Sequence, residues 1–172
     1  MMTVVIGGSA SGKSEYAESL VLRNPEKSRI YIATMQPFGE EAHQRIARHR
    51  AMRAAKGFDT VECYTDLASV SVPQGSTVLL ECMSNLCANE FFSGSGKDTA
   101  DTILRGVEGL KRQCGRIIIV SNEVFSGGSR YEGETLEYLR VLAEINRRLA
   151  AMADDVCEVV CGVPVYHKGE ER

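Results

Sequence analysis

The stretch that most narrows what this chain can become is Val4-Val5-Ile6 running into Gly7-Gly8-Ser9-Ala10-Ser11-Gly12-Lys13-Ser14. An apolar run feeding G-x-x-x-x-G-K-S is the sequence form of a strand, a phosphate-cradling loop and the start of a helix. Triphosphate oxygens need several N–H donors at short range, and Gly7, Gly8 and Gly12 permit backbone shapes and approaches that a side chain blocks. Ser9, Ala10 and Ser11 complete the nucleotide-binding stretch. Lys13 is long enough to reach the β- and γ-phosphates, and Ser14 offers a hydroxyl to Mg²⁺, which keeps most of its waters and takes few protein ligands. The pattern is specific for a nucleotide and uninformative about the reaction.

Beyond this loop the chain alternates short apolar runs with longer amphipathic stretches. Thr3 to Ile6, Ile30 to Ala33, Thr77 to Leu80, Ile117 to Val120 and Val156 to Cys161 read as strands, with Thr60 to Cys63 as a further short one. Helices are expected over Lys13 to Arg23, Glu40 to Ala55, Ser84 to Phe92, Thr99 to Cys114 and Gly133 to Met152, separated by Gly, Pro, Ser or Asp breaks. That rhythm predicts an α/β fold. Strands so uniformly apolar predict a mainly parallel sheet covered by helices on both faces. Of two segments with loop composition, Ser93 to Asp98 reads as a plain connector. Phe125 to Arg130 instead leaves the carboxyl end of a strand, where ligands of open α/β sheets lie.

With 172 residues and 44% hydrophobic content the chain has the size of one domain, expected to span 1–172. A formal net charge of −3 argues against a general polyanion binder, so nucleic acid is not an expected partner. No apolar run approaches the roughly 18 residues of a membrane span, and the N-terminus enters the first strand without a signal-peptide layout, so a cytoplasmic location is expected. The six cysteines form no C-x-x-C pair and mostly adjoin apolar strand-like runs, the pattern of buried, reduced thiols. Cys157 and Cys161, inside one expected strand, supply a poor half of a zinc site.

Glu81 closes the run Val78-Leu79-Leu80, at the carboxyl edge of the sheet on the side of the phosphate loop. A magnesium-orienting acid belongs there; Asp is the usual residue, which leaves a solvated strand-end carboxylate as the alternative. Glu123 raises the same question one strand later. The expected helix at 40–55 carries Arg45, Arg48, Arg50 and Arg53 with His43 and His49. On helical spacing Arg45, His49, Met52 and Arg53 share one stripe, whereas His43 and His49, six positions apart, cannot form an i, i+4 metal pair. By composition alone a solvated basic face is the default for such a charge run.

In the order of its motifs the chain resembles the adenosylcobinamide kinase / adenosylcobinamide-phosphate guanylyltransferase family, bifunctional P-loop enzymes of cobalamin nucleotide-loop assembly. The resemblance spans nearly the whole chain. It rests on GGSASGKS at Gly7 to Ser14, YIATMQ at Tyr31 to Gln36, RIARHR at Arg45 to Arg50, VLLEC at Val78 to Cys82, VSNEV at Val120 to Val124 and INRRLAAMADDV at Ile145 to Val156. It implies a P-loop NTPase-like (RecA-like) fold and two reactions on one corrinoid. Adenosylcobinamide is phosphorylated on its aminopropanol hydroxyl by ATP or GTP; GMP then passes from GTP to the new phosphate, giving adenosylcobinamide-GDP and pyrophosphate. It also implies Mg²⁺ and a homotrimer.

The resemblance further implies that His49, in the R-I-x-x-H pattern, becomes guanylylated while Lys13 and Mg²⁺ hold the triphosphate tail. A neutral imidazole nitrogen can attack the α-phosphorus of GTP, and cationic neighbours help by disfavouring imidazolium. Ala33, Thr34, Met35, Arg50, Ala51, Met52, Arg53, Glu62 and Glu81 are placed around the nucleotide by the same resemblance. A carboxylate facing the N1–H and N2–H₂ donors of guanine would explain a guanine preference, which leaves Glu81 with two competing roles, metal or base. One departure is visible: many relatives continue S-N-E-V with Gly-x-Gly-[IV]-[VI]-Pro, whereas Phe125 to Gly133 lacks that proline and its apolar lead. Two rivals stay open on the residues: a monofunctional P-loop kinase in which His49 is an ordinary surface residue, and a GTP-dependent regulatory binder, although the chain lacks an N-K-x-D motif.

Overall fold

The computed structural model describes residues 1–23, 28–37, 44, 46–47, 50–51, 53–93, 98–126 and 132–171. Its strands are β1 (Met2–Gly7), β2 (Arg29–Ala33), β3 (Phe58–Glu62), β4 (Thr77–Glu81), β5 (Arg116–Asn122), β6 (Asp155–Val160) and β7 (Val163–Lys168). They form one seven-stranded sheet in the order β3-β2-β4-β5-β1-β6-β7. Every pairing is parallel except β6 with β7. The described helices are α1 (Lys13–Leu22), α2 (Met83–Ser93), α3 (Thr99–Gln113) and α4 (Gly133–Met152), with a 3₁₀ turn at Leu67–Ser69. Residues 44, 46, 47, 50, 51 and 53–55 are also helical, within the span expected for the arginine-rich helix.

The uniform apolarity of the central strands follows from having two cores to feed. In β5, Ile117 and Ile119 enter the core under α2, α3 and α4, beside Leu86, Val107, Leu142 and Leu149. Ile118 and Val120 point the other way, beside Ala17, Leu20 and Val21 of α1. All four are fully buried, and each such aliphatic side chain contributes roughly 1.5–3 kcal/mol relative to exposure. An alternating polar pattern on these strands would place half its polar groups in one of the cores.

The order of the sheet sets up the site. Strand β5 lies between β1, which runs into the phosphate loop, and β4, which ends in Glu81, and the register pairs Gly7 with Asn122. All the parallel strands therefore deliver their carboxyl ends to one rim.

Two expectations are corrected at the opposite edge. The strand expected to include Cys161 stops at Val160; Cys161 and Gly162 form a two-residue turn with φ of 51° and 78°, and β7 returns antiparallel. Two successive positive φ values are the hairpin geometry that matches strand twist. Strand β7 escapes a sequence reading because it is an exposed edge carrying Pro164, His167 and Lys168, residue types that suit an edge and hide the strand pattern. Cys161 is accordingly exposed, unlike the buried Cys63, Cys87 and Cys157, and all six thiols are free.

Candidate functional site

The phosphate loop turns between β1 and α1 and opens onto a hollow of about 370 Å³ lined by residues 10–15. Gly12 takes φ of 89°, and Gly7 has no room for a Cβ, which would lie 2.5 Å from the Ser11 hydroxyl oxygen and 2.8 Å from the Val159 carbonyl oxygen. Gly8 meets no such crowding, so its lack of a side chain matters toward a ligand rather than toward the protein. The loop is braced on both sides: Glu123 N–H donates to the Gly7 carbonyl at 3.0 Å, and Gly162 N–H donates to the Ser11 carbonyl at 2.8 Å. Lys13 folds back to donate from Nζ to the Gly8 carbonyl at 2.9 Å. Helix α1 has no side-chain cap, which leaves its N-terminal N–H groups to an anion.

Glu81 is the junction of the site. Oε1 accepts the Ser14 hydroxyl of α1, and Oε2 accepts the Tyr31 hydroxyl of β2 at 2.7 Å. Tyr31 is only 6% exposed, and burial followed by the neighbouring Glu81 charge pushes its phenol well above its ordinary pKa, so it remains a proton donor. The Arg53 guanidinium lies over the Tyr31 ring, 4.0 Å from its centroid, and Arg53 Nε is buried without a hydrogen-bond partner.

These groups wall a cavity of about 160 Å³ that also takes in Ala33, Met35, Ile46, Glu62, Tyr64, Cys82 and Asn85. Thus Ala33, Met35, Arg53, Glu62 and Glu81, named separately along the chain, converge on one hollow. Arg50 reaches Glu62 from the helical segment in an exposed ion pair, and Tyr64 leans on Glu62 as well. Thr34 does not line the cavity. Fully buried, it donates to the Cys82 carbonyl at 2.8 Å and accepts from Cys82 N–H at 2.7 Å, while its own carbonyl takes Asn89 Nδ2–H at 2.8 Å. It ties the ends of β2 and β4 together. Ala51 is exposed on its helix. His43, Arg45, Arg48, His49 and Met52 lie outside the described residues, as do 127–131 of the second loop.

Tyr31, Tyr64, Cys82 and Asn85 were given no role in the site by sequence reading, although Tyr31 and Cys82 stand in quoted motifs. The first sits in an apolar strand where a tyrosine reads as core, and nothing local reveals that its hydroxyl meets a carboxylate from the next strand.

The second strand-end acid behaves differently from the first. Glu123 turns onto its own loop, with Oε1 accepting Phe125 N–H at 2.8 Å and Ser126 N–H at 3.2 Å, and Oε2 accepting the Ser126 hydroxyl at 2.6 Å. These bonds, led by that of Ser126, hold its carboxyl below the usual range. Among the described residues no three His, Cys, Asp or Glu side chains cluster as a metal cage. The pair Ser14 and Glu81 is instead the small all-oxygen donor set that suits Mg²⁺ completed by phosphate oxygens and water. Among the described residues no helix is long and apolar enough to cross a membrane.

Known proteins resemble the chain over nearly its whole length. Residues 3–166 match the model of the family described as cobinamide kinase / cobinamide phosphate guanyltransferase, CobU. The chain is 30% identical over 184 residues to the bifunctional adenosylcobalamin biosynthesis protein CobU of Salmonella typhimurium, covering 98% of this chain and 100% of that one. It is 30% identical over 173 residues to the bifunctional adenosylcobalamin biosynthesis protein CobP of Pseudomonas aeruginosa, covering 99% of each. Among solved structures, the flagellar accessory protein FlaH from Methanocaldococcus jannaschii aligns with a TM-score of 0.54 and 11% identity over 98% of this chain and 78% of that one, a likeness of fold alone. The fold is P-loop NTPase-like, of the RecA-like kind. With a phosphate loop, an acid bonded to its serine, and a family match running through both, the chain belongs to the cobinamide kinase / cobinamide phosphate guanyltransferase family of transferases.

Proposed function

We propose that this chain carries out both reactions as a single catalytic domain: phosphorylation of adenosylcobinamide with ATP or GTP, then transfer of GMP from GTP through a guanylyl-histidine at His49. The observation that carries the reading is the position of Glu81, bonded on one side to the phosphate-loop serine and on the other to Tyr31 in the wall of the Arg53–Glu62 cavity. Glu81 thereby links loop and cavity into one site.

The chain's own residues divide the work. Loop N–H groups and Lys13 bind the triphosphate tail, Lys13 exchanging the Gly8 carbonyl for phosphate oxygens. Ser14 and Glu81 hold Mg²⁺, which supplies charge neutralisation on the phosphates when bound. Because the Ser14 hydroxyl donates its hydrogen bond to Glu81, the lone pairs of that hydroxyl stay free for the cation. With Glu81 committed to Ser14, Tyr31 and the cation, guanine recognition falls to Glu62 at the cavity end. Its exposed pair with Arg50 is worth only about 0–1 kcal/mol and yields readily to the N1–H and N2–H₂ donors of the base.

Spacing supports the role of His49: it stands three positions after Ile46 and four before Arg53, both of which line the cavity. Its imidazole nitrogen attacks the α-phosphorus, the P–O bond to the β-phosphate breaks and pyrophosphate leaves with the electron pair. An acceptor phosphate oxygen then displaces the nitrogen, and the P–N bond breaks. Arg53 and Arg50 offset charge on the transferring group. We carry forward the homotrimer implied by the family, which light scattering tests directly.

Incubation with GTP labelled at the α-phosphate separates this from a kinase alone. Label is expected to stay on the denatured wild-type protein, to be absent from His49→Ala, and to pass to the corrinoid when adenosylcobinamide phosphate is added. Phosphorylated but never guanylylated corrinoid, with no label on the protein, defeats the transferase half.

A further inference from the structure

The two ends of the site are joined through Tyr31, a side chain to which neither its motif nor the family assignment gives a role. We infer that Tyr31 is a positioning residue that holds Glu81 at the cation end and Arg53 at the cavity end in a fixed relation, an inference that rests on the proposed reading of the site as a nucleotide site.

Tyr31 uses its two chemically distinct parts for the two partners. The hydroxyl donates to Glu81 Oε2 at 2.7 Å, and the ring face carries the Arg53 guanidinium at 4.0 Å. Its own position is over-determined: β2 pairs with β4 on one side and β3 on the other, Tyr31 standing opposite Leu79 and Thr60, and Phe58 meets its ring edge-on with centroids 5.9 Å apart. A buried tyrosine needs one hydrogen-bond partner, and a backbone carbonyl would have served. Here the partner is the carboxylate that also accepts the Ser14 hydroxyl, so any tilt of the phenol is passed to the phosphate-loop serine. Arg53, 8% exposed, has no hydrogen bond at Nε to hold it, and the aromatic face takes over part of that task.

The guanidinium also reaches the hydroxyl, but its stacking on the ring face survives loss of the oxygen, whereas the bond to Glu81 does not. Tyr31→Phe keeps the face and loses the donor; Tyr31→Leu loses both. The readout is binding of a fluorescent GTP analogue to the full-length protein, titrated with Mg²⁺ present and again in EDTA, with thermal unfolding alongside. Tyr31→Phe is expected to raise the Mg²⁺ concentration for half-maximal binding about tenfold and to leave binding in EDTA within about twofold of wild type. Tyr31→Leu is expected to weaken binding about tenfold in EDTA as well. In a Glu81→Gln background, Tyr31→Phe is expected to have no further effect on the Mg²⁺ requirement, since it acts through Glu81.

Equal behaviour of the Phe and Leu variants, or a lowered melting temperature with unchanged nucleotide and Mg²⁺ dependence, overturns the inference and leaves Tyr31 a core residue. Because binding rather than turnover is read, a chain that binds nucleotide as expected but makes no corrinoid product would sink the functional reading without touching this one.

Discussion

The Ser14 hydroxyl donates its hydrogen to Glu81, 67 residues further along the chain and on a strand that is not even adjacent to the one leading into the phosphate loop. Helix α1 and strand β4 are brought to the same rim by the intervening β5, and the bond points the serine hydroxyl hydrogen at Glu81. Ser14→Ala and Glu81→Gln are each expected to lower phosphoryl transfer at limiting Mg²⁺ by about 100-fold, with the double variant little worse than either single one. Initial rates over a Mg²⁺ series check this; additive losses would show that the two residues act independently.

Base selection is expected to follow Glu62 and not Glu81. Glu62→Gln keeps the shape and replaces one acceptor oxygen with a donor, so the preference for GTP over ATP in binding should fall by roughly ten- to a hundredfold, the range for hydrogen bonds to a charged group. Competition between the two nucleotides for the labelled analogue measures it. A ratio unchanged in Glu62→Gln but collapsed in Glu81→Gln would reverse the assignment.

Gly7→Ala tests whether crowding, rather than backbone freedom, requires glycine at the loop entrance. The added carbon meets the Val159 carbonyl oxygen of β6 at 2.8 Å, and neither strand can shift alone because β1 and β6 are hydrogen-bonded. Destabilisation of about 1–3 kcal/mol by urea denaturation is expected, together with weakened nucleotide binding. Gly8→Ala, which meets nothing in the protein, should leave stability within about 0.5 kcal/mol and affect binding alone.

Thiol chemistry should sort the cysteines by burial. Exposed Cys161, in the hairpin turn, is expected to react with a disulfide reagent at pH 8 within the mixing phase of the assay, and Cys63 and Cys87 only on unfolding. Burial pushes the Cys63 thiol up to about 11, helped by Glu90 and Asp66, and the Cys87 thiol up to about 12. Both lie above the ordinary value of 9.0, so the unfolded chain loses these protons first as the pH rises. Their contribution to stability is complete below pH 9 and is lost as the pH climbs through 11 and 12. Denaturation curves from pH 8 to 11 should therefore show falling stability, less steeply in Cys87→Ala.

The phosphate loop was legible from eight consecutive residues because its chemistry is local: glycine backbone shapes, a lysine and a serine hydroxyl at the start of a helix. The apolar runs likewise announced a sheet with two covered faces, since Ile117 to Val120 could not have been satisfied by one core. Glu81 could be placed at the rim but not assigned, because its role depends on partners from α1 and β2. Thr34 shared a motif with Ala33 and Met35, yet alternation along the extended chain turned it inward to Cys82. Strand β7 hid behind the composition of an edge, and Tyr31 behind that of a core. What the chain's letters determined alone is whatever a few neighbouring residues can enforce; strand order decided that a serine, a tyrosine, an arginine and two glutamates would face one another, since such long-range pairings have no signature in local spacing.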